Sequence, residues 1–109
     1  MNTQMPADAP QHVMEIVSFR LNPDADPSAF EAAARAIDTL LHKRGTVASR
    51  SLVVDEEGLW TDIVEWTSME EAKAAAEELV KDPLFAPLGA MIDDKTISMR
   101  HAPIQHQME

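Results

Sequence analysis

The sequence predicts an α+β protein whose elements follow in the order β-α-β-β-α-β. Three observations indicate this order: four segments have the residue pattern of strands, two segments carry apolar residues at helical spacing, and turn residues separate them. This order is typical of the ferredoxin-like arrangement, an antiparallel four-stranded sheet with both helices on one face. Right-handed crossovers place the first and third strands in the centre, with the fourth strand beside the first and the second beside the third.

The first half of the chain predicts a strand, a helix and a second strand. The first strand covers residues 12–21, and the apolar residues on both of its faces indicate that both faces are covered. Asp26 is positioned to cap a helix that begins at Pro27, where the missing N–H costs nothing. This helix is expected to end at Gly45, which adopts a left-handed conformation readily, and the second strand follows over residues 46–54.

The third strand and the second helix follow a short turn. Residues 59–66 alternate as a strand and lead into a helix over residues 69–81. Ser68 and Glu71 have the spacing of a capping box, in which each side chain bonds a free backbone N–H of the first turn. Pro83 then interrupts the helix.

The last part of the chain predicts short elements. Residues 83–87 are expected to form an irregular turn, and residues 88–92 one or two helical turns that end at Asp93 and Asp94. The fourth strand is expected over residues 96–101.

The composition indicates one acidic globular domain. The 109 residues suffice for a single compact domain, expected over residues 12–104 between a disordered lead (1–11) and a frayed tail (105–109). The net charge of −10 disfavours nucleic acid and anionic membranes as partners, because both require a basic surface. There is no run of about 18 apolar residues and no secretory signal pattern, so we expect a cytoplasmic protein.

One face of the predicted sheet lacks a cover. Two helices cover only one face, so the other must be polar or buried against something else. The third strand places Trp60, Val64 and Trp66 together, and neither face of the first strand is polar. We therefore expect these side chains on the bare face, as a dimer interface or a ligand cavity, in a homodimer.

The segment WTDIVEWTSMEEAKAA, residues 60–75, resembles the dimeric α/β-barrel superfamily, in a layout similar to the antibiotic-biosynthesis-monooxygenase-like families. The resemblance covers residues 12–104, and its sharpest motif is the tryptophan that ends the third strand, followed by Ser/Thr-x-Glu-Glu-Ala. It implies a homodimer whose two sheets form a closed barrel, with a small-molecule cavity within or beside it. Members include cofactor-free oxygenases of aromatic compounds, haem-degrading enzymes and proteins of unknown activity, so the fold does not choose a reaction.

The resemblance also implies site residues. Those oxygenases pair a cavity tryptophan with a polar side chain such as asparagine. Trp66 matches the tryptophan in position. The only asparagines of this sequence, Asn2 and Asn22, lie in the lead and in a turn, so the polar partner has no obvious equivalent. No histidine lies at a clearly matching helical position for haem. We therefore expect no cofactor.

Glu15, Asp62 and His101 are the candidate catalytic residues. Glu15 and Asp62 are acids within otherwise apolar strands, where a half-buried carboxylate can act as a base or bind a cation. The alternative is an exposed position or an ion pair with an arginine. His12 begins the first strand and His101 ends the fourth, and because these strands are antiparallel neighbours the two histidines are expected close together. With Glu15 they could carry a proton or bind a metal. Structural histidines are the alternative, and because the spacing matches no strong metal motif, we expect no metal.

The candidate ligand-binding residues are Trp60, Val64, Trp66 and Arg50. The tryptophans could stack on a flat ligand, or alternatively form a dimer core or pack against a helix. Arg50 could bind a ligand carboxylate, or alternatively form an ion pair within the protein.

Two functions remain open on these observations. The first is a small-molecule-binding dimeric barrel, with a cofactor-independent monooxygenase-like or isomerase-like activity on a small apolar or aromatic compound. The alternative is a non-catalytic dimeric binding or interaction module. A cavity of about 300 Å³ lined by Trp66 and a carboxylate would favour the first function, and a filled interface the second.

Overall fold

The structure, a computed structural model, describes residues 11–108; the predicted lead, except Gln11, lies outside this range. Its elements are β1 (Val13–Leu21), α1 (Pro27–Ala36), α2 (Asp38–Arg44), β2 (Val47–Val54), β3 (Trp60–Trp66), α3 (Met69–Leu79), α4 (Phe85–Met91) and β4 (Ile92–Pro103). Within residues 11–108, no helix is long and apolar enough to cross a membrane.

The four strands form one antiparallel sheet in the order β2-β3-β1-β4, which confirms the predicted order. The central pair, β1 and β3, is in register from Val13 opposite Trp66 to Phe19 opposite Trp60. β4 pairs with β1 on the other side, with an irregularity between Ser18 and Arg20. The fold is therefore the predicted ferredoxin-like α+β arrangement.

The first predicted helix is divided into α1 and α2 at Ile37. Both predicted ends are confirmed: the Asp26 carboxylate accepts from the Ser28 N–H at 3.0 Å, and Gly45 has a φ of 76°. The division occurs where the Ala34 carbonyl accepts the Ile37 N–H, three residues on, at 3.2 Å. The same carbonyl accepts a bond of 2.8 Å from Arg50 Nη1, so a side chain from β2 stabilises the tightened turn.

The second predicted helix begins as expected and ends two residues early. Ser68 Oγ accepts the Glu71 N–H at 3.1 Å, which is the predicted cap. The Glu71 carboxylate, which the capping box would direct back to Ser68, lies instead 3.5 Å from Arg44 Nε. α3 ends at Leu79, where an N–H···O bond from Asp82 to the Leu79 carbonyl forms a turn.

The region after α3 was predicted wrongly in two respects. Residues 85–87 belong to α4 and not to an irregular turn, and Asp93 and Asp94 lie in β4 and do not end a helix. β4 begins directly after α4 because Ile92 and Asp93 pair with Leu21 and Arg20 at the end of β1. Pairing with a neighbouring strand outweighs the low intrinsic preference of aspartate for strands.

The prediction that Trp60, Val64 and Trp66 lie on the bare face of the sheet is wrong. All three belong to the buried core that the sheet forms with the helices, and only 1% of Trp66 is exposed. Ala72 and Ala75 of α3 are completely buried in the same core, because their small side chains leave room for the large tryptophans. Alternation identifies two faces of a strand, but not which of them the helices cover.

The face without helices carries the alternate residues of the same strands. Ile16 and Ile63 pair across β1 and β3 at its centre and are half-buried, and Val53 of β2 is 49% exposed. Ser18 and Thr61 contact each other through their hydroxyl groups at 3.3 Å. This face is therefore mixed in polarity, with an apolar centre.

Residues 104–108 form no helix or strand but contact the rest of the chain. The Ile104 N–H donates to the His12 carbonyl at 2.9 Å, and Gln107 Nε2 donates to Glu65 Oε1 at 3.1 Å. Glu65, 7% exposed, also lies 2.6 Å from His12 Nδ1 and accepts from Ser49 Oγ at 3.5 Å. These bonds hold the pKa of Glu65 below its usual range, and the contact with His12 contributes most, followed by the bond from Gln107.

Candidate functional site

A cavity of about 290 Å³ lies between the sheet and the helices. Strands β1, β3 and β4 form its floor, and the helices form its roof, with mostly apolar side chains such as Val17, Val64, Leu41, Phe85 and Leu88. Three apolar lining residues remain half exposed and mark its opening: Val80, Ile97 and Met99. A volume and an apolar lining of this kind are typical of small-molecule sites in proteins.

Glu15 of β1 lines the cavity and pairs with His101 of β4. The two residues are opposite each other in the sheet, and Glu15 Oε2 lies 2.7 Å from His101 Nε2. Their side chains are 11% and 15% exposed, so the pair is largely removed from water. A carboxylate in contact with both a cavity and a histidine can accept a proton from a ligand while the histidine stabilises or relays charge.

Asp62 of β3 lines the same cavity and forms a bidentate ion pair with Arg50 of β2. Arg50 Nε and Nη2 donate to Asp62 Oδ1 and Oδ2 at 3.1 and 2.7 Å. Arg50 Nη1 donates to Asp38 Oδ1 at 2.9 Å as well as to the Ala34 carbonyl. Burial lowers the pKa of Arg50, but the bonds and charges of Asp62 and Asp38 outweigh it and raise the pKa above its usual value. The predicted alternative of an internal ion pair describes this contact.

Trp66 also lines the cavity, next to α3. Its indole Nε1 is buried and has no hydrogen-bond partner among residues 11–108. A buried N–H without a partner is uncommon in folded proteins, and a ligand that accepts its hydrogen bond is one explanation. Trp66 and Asp62 lie four residues apart on β3, so they face the cavity from the same side of the strand.

Trp60 lies apart from the cavity. It packs edge-on against Phe30, with ring centroids 5.0 Å apart and an interplanar angle of 67°. Trp60 lines a second hollow of about 340 Å³ between α1 and β2, whose rim carries the exposed Glu31–Arg35 ion pair. The mixed charge and open rim of this hollow suit a small ligand less well than the apolar cavity does.

The predicted group of His12, Glu15 and His101 is not assembled. His12 pairs with Glu65, whereas His101 pairs with Glu15. Among residues 11–108, no three His, Cys, Asp or Glu side chains are arranged to hold a metal ion. The two histidines separate because Glu15 and Glu65 lie on opposite faces of the sheet: Glu15 is paired with Val64, the neighbour of Glu65 in β3.

Sequence reasoning missed the cavity residues contributed by α4 and β4. Phe85 and Leu88 of α4 cover the cavity, and Asp94 of β4 lines it as an exposed carboxylate. The spacing of Phe85 and Leu88, three residues apart, is a helical signal, which the neighbouring prolines obscured. No signal in the sequence places Asp94 at a cavity.

Comparison with known proteins identifies the fold. No family model and no curated protein matches the chain. A point mutant of SnoaB, a cofactor-independent oxygenase from Streptomyces nogalater, has a similar structure, with a TM-score of 0.73 and 14% identity over 90% of this chain and 97% of that chain. Rv0793 from Mycobacterium tuberculosis is also similar, with a TM-score of 0.65 and 21% identity over 89% of this chain and 99% of that chain.

A third similar structure is a protein from Bordetella bronchiseptica provisionally named antibiotic biosynthesis monooxygenase. Its TM-score is 0.66 and its identity 17%, over 90% of this chain and 99% of that chain. At these identities the likeness concerns the fold. The chain thus has the ferredoxin-like fold of antibiotic-biosynthesis-monooxygenase-type structures, as the resemblance implied.

Proposed function

We propose that the protein binds a small apolar or aromatic molecule in the cavity between its sheet and its helices and transfers protons to or from it. The observation that carries the proposal is the cavity of about 290 Å³ lined by Trp66, Glu15 and Asp62. This combination of volume and lining favours a small-molecule-binding protein over an interaction module with a filled interface.

The cavity suits a flat ligand. Its walls are apolar side chains packed between a sheet and helices, and the buried Trp66 beside them has an N–H that lacks a partner within the described chain. A ligand oxygen that approached this N–H would gain a hydrogen bond that costs no existing contact.

Proton transfer is the chemistry that the polar residues support. Glu15 faces the cavity and would accept a proton from a ligand O–H or C–H group, with His101 behind it as the relay. The resulting anion is re-protonated at another atom in an isomerisation, or reacts with O₂ in a monooxygenation that places one oxygen in the product and one in water. The two hydrogen bonds from Arg50 hold the Asp62 carboxylate in place, so that Asp62 would orient the ligand.

The proposal includes a homodimer and a cytoplasmic location. The face opposite the helices has the apolar centre Ile16, Ile63 and the exposed Val53, and among residues 11–108 no helix covers it. A second copy placed against this face would bury these side chains and join two sheets into a barrel. The cavity lies on the other side of the sheet, so each copy would keep its own site.

Deuterium exchange tests proton transfer directly. We expect the protein in D₂O to accelerate deuterium incorporation at C1 of 2-naphthol, because removal of the hydroxyl proton makes that carbon basic. Glu15→Gln should lose at least about 100-fold of this acceleration, the usual contribution of a general base. Mass spectrometry of the recovered naphthol measures the exchange.

The control is Glu57→Gln, in the exposed turn between β2 and β3, which should retain the full rate. A protein that binds 2-naphthol but leaves its exchange rate at the buffer value would be a binding module and not an enzyme.

A further inference from the structure

The charged side chains that line the cavity carry an excess of negative charge. Among the described residues they are the carboxylates Glu15, Asp62 and Asp94 and the guanidinium of Arg50. Asp94 is exposed and near the half-exposed Ile97, so it meets a ligand first, whereas Glu15 lies deeper. The whole chain is also acidic, with a net charge of −10, so its field adds to that of the lining.

The guanidinium of Arg50 is not free to bind a ligand anion. Its Nε, Nη1 and Nη2 atoms donate to Asp62, Asp38 and the Ala34 carbonyl at distances between 2.7 and 3.1 Å. Two carboxylates therefore surround this single cation, and the cluster of Arg50, Asp62 and Asp38 remains negative by one charge. A ligand carboxylate could bind Arg50 only by displacing a bidentate partner.

Glu15 presents an acceptor to the cavity. His101 contacts its Oε2, and its Oε1 has no hydrogen-bond partner among residues 11–108. A carboxylate oxygen accepts hydrogen bonds and cannot donate them, so a hydroxyl or ammonium group satisfies it and a second carboxylate does not. Two like charges about 5 Å apart, at an effective dielectric constant of about 20, weaken binding by roughly 250-fold.

The geometry points to a ligand that is apolar apart from a hydrogen-bond donor, either a hydroxyl group or a protonated amine, and to a cavity that rejects carboxylates. Glu15 binds the donor group, and Asp94 at the opening repels anions before they enter. This inference rests on the proposed function, since it names the chemical class of the molecule that the cavity takes.

Three probes that share one ring system test the inference. They are 2-naphthol, 2-naphthylmethylamine and 2-naphthoate, titrated into the protein at neutral pH by calorimetry. The naphthol and the amine should bind, and the naphthoate should bind at least about 30-fold more weakly than either. A naphthoate affinity equal to or above that of the naphthol would overturn the inference while leaving the proposed cavity function intact.

Two variants assign the discrimination to residues. Glu15→Gln should narrow the affinity gap between naphthol and naphthoate by at least about tenfold, and Asp94→Asn, at an exposed position, should narrow it as well. A gap that keeps its wild-type size in both variants would contradict the assignment to these carboxylates. If none of the three probes binds, the proposed function itself fails, and the inference fails with it.

Discussion

Glu65 shows how one buried acid is stabilised on the side of the sheet opposite the cavity. Its carboxylate contacts His12, Gln107 and Ser49 and thereby joins the end of the chain to β3 and to the residue preceding β1. Because these contacts favour the ionised form, its pKa is lowered in the folded protein. A depressed carboxyl pKa stabilises the fold above the unfolded-state pKa, and this contribution is lost as the pH falls through the folded-state value.

Glu65→Gln is therefore expected to lower the free energy of unfolding at pH 7 by about 1.5–3 kcal/mol, the range for hydrogen bonds to a charged group. The difference from wild type should shrink as the pH falls from the ordinary glutamate pKa of about 4.3 through the lower pKa of folded Glu65, because the wild-type carboxylate then also becomes protonated. Urea unfolding at one fixed protein concentration measures both values. Glu77→Gln, on an exposed part of α3, is the control and should match wild type at both pH values; a Glu65→Gln difference of the same size at pH 7 and pH 3 would contradict this explanation.

The site residues could be predicted from the sequence only in part. Glu15 and Asp62 were identifiable because acids within apolar strands are unusual, and both line the cavity. The contact of Asp38 with Arg50 could not be predicted, since the position of α2 decides it, whereas His101 was expected near Glu15 and is its partner. The placement of Trp66 under the helices required the three-dimensional packing of α3.

Three helix ends could be predicted from the sequence. Asp26, Ser68 and Gly45 all have the predicted roles, because capping depends on side chains within a few residues of each helix end. The division of the first helix and the early start of β4 were not predictable, because they depend on Arg50 and on pairing with β1. Ends that depend on nearby side chains could therefore be predicted, whereas ends that depend on residues distant in the sequence could not.

Ser68→Ala is expected to lower the free energy of unfolding by about 1 kcal/mol, because the Glu71 N–H loses its acceptor at the start of α3. Urea unfolding measures the change. Ser28→Ala is the matched control near the start of α1, where the cap is the Asp26 carboxylate and the Ser28 backbone N–H is its donor. An unchanged midpoint for Ser68→Ala would show that this cap does not stabilise α3.

At the scale of the whole molecule, the strand order was predictable and the faces were not. Right-handed crossovers and short connections leave few arrangements of four strands and two helical regions. The two faces of each strand are equivalent in an alternating pattern that is apolar on both sides, as in β1. Which apolar residues lie on the uncovered face therefore becomes known only from the folded structure.

The proposed dimer is expected to give a mass of about twice 12.1 kDa by light scattering at micromolar concentration. Val53→Glu should shift this mass towards that of one chain, because it places a charge on the uncovered face. Val54→Glu is the matched control: Val54 is the next residue, 48% exposed against 49% for Val53, and lies on the helix side of β2. This interface would be ruled out if both changes lowered the measured mass equally, or if the wild-type protein were a monomer at every concentration measured.

The central claim is that the space between the sheet and the helices is a ligand-binding cavity. Its most direct test is calorimetric titration of 2-naphthol into wild type, Ala76→Phe and Ala74→Phe. Both alanines are half-buried on α3, but only Ala76 lines the cavity, so phenylalanine fills the site at one position and not at the other. We expect one naphthol to bind per chain of wild type and of Ala74→Phe, and none to bind Ala76→Phe. Undiminished binding to Ala76→Phe would contradict the account, because the ligand would then lie outside the cavity.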